Sequence, residues 1–109
     1  MDESLIKKLE GIQEALNVLE VELSSGEISQ DPNLLAEKAK KHSELSEISS
    51  LFKEWKKLSK DISEAKVMLD EEEDDEMIKD LDLLLDESRR KSDEIVSQIK
   101  VSLLPKDPL

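Results

Sequence analysis

Four lysines on one face of a predicted helix are the residues of this sequence best placed to bind a charged partner. They are Lys53, Lys56, Lys57 and Lys60, and their i, i+3, i+4, i+7 spacing puts them together beside Trp55. One interpretation is a phosphate-binding stripe for RNA, since lysine ammonium groups neutralise backbone phosphates. The other is that these lysines neutralise the acidic helices on either side. We take the four lysines and Trp55 as candidate partner-contact residues.

Catalytic and metal-binding constellations are not recognisable. His42 is the single histidine and there is no cysteine. His42 falls in step with an apolar stripe, where a boundary or core role is expected, and no nucleophile accompanies it. The acidic run DEEEDDE at residues 70–76 lacks the central glycine of an EF-hand loop, so it predicts a solvated turn with helix-capping acids. We expect no enzyme activity, no cofactor and no metal site.

The composition favours one all-α domain. The 109 residues are 40% charged and include one Trp, one Phe, no Tyr and only two glycines, which is typical of long helices or a coiled coil. No apolar run approaches the ~20 residues of a membrane span. The N-terminus, MDESLIKKLE, has no export signal. These features predict a cytoplasmic protein without membrane association.

Charge is distributed unevenly along the chain. The net charge is -12, which taken whole repels nucleic acid, so no direct DNA binding is expected. Residues 33–69 nevertheless carry eight lysines against six acids, or +2. The middle segment is therefore basic, and acidic segments flank it on both sides.

Apolar periodicity predicts three helices, at about residues 2–24, 32–70 and 75–104. The first has an a/d heptad stripe, interrupted by Gly11 at a cost of roughly 1 kcal/mol relative to alanine. Gly26 follows it and suits the left-handed position that ends many helices.

Local signals set the other helix ends. Asp31 can cap the second helix, with Pro32 as its first residue. Asp74 or Asp75 can cap the third helix. Pro105 stops it, because proline lacks the N–H that a helix needs.

The helix lengths predict an elongated three-helix antiparallel hairpin, or bundle, with coiled-coil-like packing. The first helix is long enough to cover only about half of the second. It should lie against the N-terminal half of the second helix and the C-terminal half of the third. The end near the acidic run is then a thin two-helix tip, where Trp55 and Phe52 are interpreted either as core residues or as contacts.

The order of these features resembles the N-terminal domain of bacterial-type class I peptide chain release factors, of the type that reads UAA and UAG. The order is a roughly 20-residue helix, a loop with Asp-Pro, a long helix, an acidic turn, a third helix and the sequence LLPKDP. The acidic turn DEEEDDEM and LLPKDP are the most specific parts.

The resemblance implies a helical domain at residues 1–104 and the start of a linker at 105–109. Pro105, Lys106, Asp107 and Pro108 would form a hinge toward a decoding and catalytic region. In the family, the Gly-Gly-Gln loop that promotes peptidyl-tRNA hydrolysis and the stop-codon-reading tripeptide lie in later domains. No catalytic residue is therefore carried over, and the chain is expected to be an excised domain.

The partners implied by the resemblance are the ribosome, at stalk-base proteins of the large subunit, and the GTPase that recycles release factors. Two other hypotheses remain open from the residues alone. One is a free-standing coiled-coil adaptor or chaperone subunit that is unrelated to translation. The other is an RNA binder that acts through the lysine stripe.

Overall fold

The computed structural model describes residues 1–26 and 30–105. It contains three helices, α1 (Glu3–Leu23), α2 (Pro32–Glu71) and α3 (Asp75–Ser102). No strand occurs in the described residues. The predicted all-α fold with three helices is confirmed.

An aspartate caps the N-terminus of each helix. The Asp31 carboxylate accepts hydrogen bonds from two main-chain N–H groups, at 3.1 and 3.2 Å, and Pro32 is the first residue of α2. Asp74 accepts one at 3.3 Å at the start of α3. Both caps were predicted. The cap by Asp2 at the start of α1 was not predicted, yet Asp2 accepts the shortest of these hydrogen bonds, at 2.7 Å.

The C-terminus of α1 differs from the prediction. Neither glycine of the chain has a positive φ, so the predicted left-handed conformation of Gly26 is wrong. Ser24 occupies the C-cap in a right-handed conformation, with φ -83° and ψ -4°. Its hydroxyl donates to the main-chain carbonyls of Glu20 and Val21, each at 2.9 Å. The Ser24 hydroxyl thus satisfies carbonyls at the end of α1. In a helix that ends on a left-handed glycine, main-chain N–H groups would bond to such carbonyls instead.

Helix α3 ends at Ser102, two residues earlier than the periodicity predicts. The Leu104 N–H donates to the Val101 carbonyl at 3.1 Å, an i to i−3 bond that tightens the last turn. Leu104 precedes Pro105, and a residue before proline is disfavoured in the α region. Pro105 therefore prevents the helix from continuing in two ways. It lacks an N–H itself, and it disfavours the helical conformation of Leu104.

The first of two compact units covers Met1–Ser50 and contains α1 and the N-terminal part of α2. Leu16 and Leu19 of α1 form a buried cluster with Leu45 of α2, and Ile12 packs against it. The heptad stripe of α1 thus packs against the N-terminal part of α2, as predicted.

The second unit covers Leu51–Leu109 and contains the remainder of α2 together with α3. A three-residue connection at 72–74 joins the two helices, so they run antiparallel. Its buried apolar residues are Phe52, Ala65, Leu81, Leu85 and Ile99. Four further apolar residues on this part of α2 are half-buried: Trp55, Leu58, Ile62 and Leu69.

Candidate interaction surface

The four predicted lysines lie on one exposed face of α2, within the second unit. We call Lys53, Lys56, Lys57 and Lys60 the lysine face, and all four are exposed. Helix α2 runs unbroken through these positions. At ~1.5 Å rise per residue the face extends for about 10 Å along the helix axis. The structure therefore brings the predicted lysines together without help from any loop.

An aromatic pair supports one ammonium group of the lysine face. The Lys56 Nζ lies 4.3 Å from the centroid of the Phe52 ring, and Phe52 itself is 0% exposed. The Phe52 and Trp55 rings stack with centroids 6.2 Å apart and an interplanar angle of 16°. Phe52 is thus a core residue, while Trp55 is half-buried and keeps part of its indole at the surface.

The lysine face has no ion-pair partner within the described residues. No carboxylate oxygen there lies within 4.0 Å of any of its four ammonium groups. By contrast, the Lys38 ammonium in the first unit lies 2.8 Å from a Glu22 carboxylate oxygen. One interpretation was that these lysines neutralise the acidic helices. In residues 1–26 and 30–105, they form no specific ion pair that would do so.

A groove of about 470 Å³ between α2 and α3 borders the lysine face. Its lining residues are Glu54, Lys57, Leu58, Asp61, Lys91, Glu94, Ile95 and Gln98. Lys57 is the one lysine of the face that also lines this groove. The charge of the groove is mixed, with three carboxylates and two ammonium groups. Exposed carboxylates of Glu54, Asp61 and Glu64 also lie on the same segment of α2 as the lysine face.

The acidic turn is built by its own carboxylates. The Glu72 side chain accepts from the main-chain N–H of Glu73 at 3.3 Å and of Asp74 at 3.2 Å, and Asp74 caps α3. Among residues 1–26 and 30–105, no group of three or more His, Cys, Asp or Glu side chains is arranged to hold a metal ion. The predicted helix-capping turn is confirmed.

Polar contacts in the first unit link α2 to α1. The His42 Nε2 lies 3.3 Å from a Glu20 carboxylate oxygen, and the His42 side chain is 31% exposed. His42 therefore has the predicted boundary position.

A groove of about 550 Å³ lies in this unit. Its lining residues are Leu19, Leu34, Glu37, Lys38, Lys40, Lys41 and Glu44.

The predicted hinge falls at the edge of the described structure. Pro105 is exposed and follows the last turn of α3. Lys106, Asp107 and Pro108 lie outside the described residues, so the hinge stays a prediction.

Sequence reasoning missed two features of this surface. The contact between Lys56 and Phe52 could have been predicted from their i, i+4 spacing, which places side chains side by side on a helix. The groove could not have been predicted from helical spacing, since its walls depend on the register of α3 against α2.

Comparison with known proteins identifies the family. The sequence model of the PCRF domain matches residues 12–109. The chain belongs to the PCRF domain family. It is similar to the protein named peptide chain release factor 1 of Geobacillus sp. (strain WCH70), with 36% identity over 104 residues, which cover 95% of this chain. The expected relation to release factors is confirmed.

This PCRF domain spans 29% of the length of that curated relative. No solved structure matches the chain. The PCRF match includes the lysine face, the acidic turn and the residues of the predicted hinge. Within the described residues, no helix combines the length and the hydrophobicity needed to cross a bilayer.

Proposed function

We propose that this PCRF domain is the non-catalytic, ribosome-facing domain of a translation termination factor. The observation that carries the proposal is the family match over residues 12–109, together with 36% identity to a protein named as a peptide chain release factor. This match favours termination over the alternative of an adaptor unrelated to translation. The domain is proposed to work in the cytoplasm.

The finer part of the proposal concerns the parent factor and its contacts. The parent directs peptide release at UAA and UAG, and its chemistry lies in domains beyond this chain. This domain contacts proteins at the stalk base of the large ribosomal subunit, the recycling GTPase, or both. The net charge of -12 supports this assignment, because an acidic surface attracts basic proteins.

The domain boundaries complete the proposal. Residues 1–104 form the helical domain and residues 105–109 begin the linker. Pro105 and Pro108 fix φ at two of its positions, so they would restrict the linker to extended conformations. Such a linker positions a helical arm for contact.

A chimeric release factor tests the proposal. This chain replaces the matching 104 residues of the Geobacillus relative, and peptide release is measured on ribosomes stalled at UAA, UAG or UGA. The expected result is release at UAA and UAG at a rate within tenfold of the unmodified relative. A matched control replaces the same residues with an unrelated three-helix domain, which should release more slowly. If the chimera is no faster than this control, the proposed function is wrong.

A further inference from the structure

We propose that the lysine face binds the phosphate backbone of RNA independently of sequence. The inference deepens the proposed function and rests on it for the source of the RNA. The four ammonium groups share one exposed side of α2, and none has a carboxylate partner in the described residues. These four cations therefore form a local basic cluster in a chain whose net charge is -12.

The dimensions of the face suit a nucleic-acid strand. Its length of about 10 Å corresponds to roughly three nucleotides at ~3.4 Å of helix rise per strand. Lysine ammonium groups are compact point charges on flexible stems, so they accept phosphates in many geometries and require no base. This chemistry predicts binding to any sequence.

The Phe52 ring holds one of the cations in place. The Lys56 Nζ lies 4.3 Å from the ring centroid, so the ring occupies one side of the ammonium group. An ammonium group has three N–H donors, and those pointing away from the ring stay available to a phosphate. Binding therefore requires less ordering of Lys56 than of a fully mobile lysine.

The acidic turn does not cancel this local field. Lys60 and Asp70 are ten residues apart on one helix, or about 15 Å. The Debye length at physiological ionic strength is ~8 Å, so exposed charges at that separation are largely screened from each other. Closer carboxylates lie on the same segment of α2, at Glu54, Asp61 and Glu64, and all three are exposed. A phosphate therefore interacts mainly with the lysines only where it contacts their ammonium groups directly.

An acidic protein is the competing partner. The lysine face contains no arginine, since Arg89 and Arg90 are on α3, so it would bind carboxylates or phosphates as point charges and not in a bidentate manner. RNA is favoured because it releases condensed counterions when its phosphates are neutralised, which adds a salt-dependent gain.

The salt dependence of binding tests the inference. The 109-residue chain is titrated into a fluorescently labelled 16-base-pair RNA duplex, and anisotropy is followed between 25 and 200 mM KCl. Each phosphate contact contributes about -0.7 to -0.9 to the slope of log K against log salt. Four contacts then predict a slope of about -3 to -4, and Lys57→Glu combined with Lys60→Glu should reduce its magnitude by about 2. This variant retains Lys56 above Phe52.

The control is Lys40→Glu combined with Lys41→Glu, which makes the same charge change at exposed positions of the same helix but outside the lysine face. It should keep the slope within 0.5 of the unmodified chain. Circular dichroism verifies helicity, and Lys57→Gln with Lys60→Gln replaces the reversal variant if that variant unfolds.

Three results would overturn the inference: equal slopes for the two variants, no binding at 25 mM KCl, or competition by polyglutamate as strong as by unlabelled RNA. The last result would assign the face to an acidic protein. The chimera assay measures peptide release, so a failure of RNA binding remains distinguishable from a failure of the proposed function.

Discussion

Replacing Phe52 by alanine should be among the most destabilising single changes in the second unit. The side chain is 0% exposed, and large-to-small changes of buried phenylalanine cost about 3–5 kcal/mol. The change also removes the stacking with Trp55 and the ring beneath the Lys56 ammonium. Such contacts are worth roughly 0.5–1.5 kcal/mol each, so we expect the upper part of this range. A native domain of this size has about 5–15 kcal/mol in total, so the loss is a large fraction of its stability.

Urea unfolding measures this loss with two signals. Trp55 is the only tryptophan and there is no tyrosine, so intrinsic fluorescence reports on the Phe52 contact, while far-UV circular dichroism reports on all helices. Leu83→Ala is the matched control, because Leu83 is 64% exposed on α3 and its truncation should change stability by less than about 0.5 kcal/mol. A loss below 1 kcal/mol for Phe52→Ala, or one equal to that of the control, would refute the assigned burial.

Two further changes test the helices themselves, both by urea unfolding. Gly11→Ala should stabilise the chain by about 0.8–1.0 kcal/mol, because a Cβ built there has no neighbouring atom within 4 Å and α1 is helical on both sides; a loss of stability would contradict this. Asp31→Ala should cost about 1 kcal/mol through loss of the α2 cap, and Asp31→Asn should retain most of it. A loss near zero for Asp31→Ala would show that the cap contributes nothing.

The starts of α2 and α3 could be predicted because their signals are local. Asp31 and Pro32 are adjacent, and each alone favours a helix N-terminus, so no other part of the chain has to be known. The end of α1 was harder, because Ser24 and Gly26 offer alternative ways to satisfy the same carbonyls. The sequence contains both, and only the three-dimensional structure shows that the serine hydroxyl is used.

The lysine face could be predicted for the same local reason, since helical spacing alone determines which residues share a side. Its lack of ion pairs within residues 1–26 and 30–105 could not be predicted, because acidic residues lie on the same helix at positions such as Asp61, four residues after Lys57. Whether such a pair forms depends on side-chain rotamers. The groove beside Lys57 depends further on the register of α3, which no single-helix pattern encodes.

The combination of an acidic chain and one basic face has a consequence for how such a domain binds. Long-range repulsion between the net charge of -12 and RNA lowers the rate of free encounter, whereas the lysine face makes its contacts at distances much shorter than the Debye length. Binding by the isolated chain at physiological salt should therefore be weak. The proposed linker changes this balance, because tethering raises the effective concentration of a second site to the millimolar range for short linkers. Under the proposed function, the four lysines would add to ribosome binding once the parent factor has docked, whereas their binding to free RNA would stay weak.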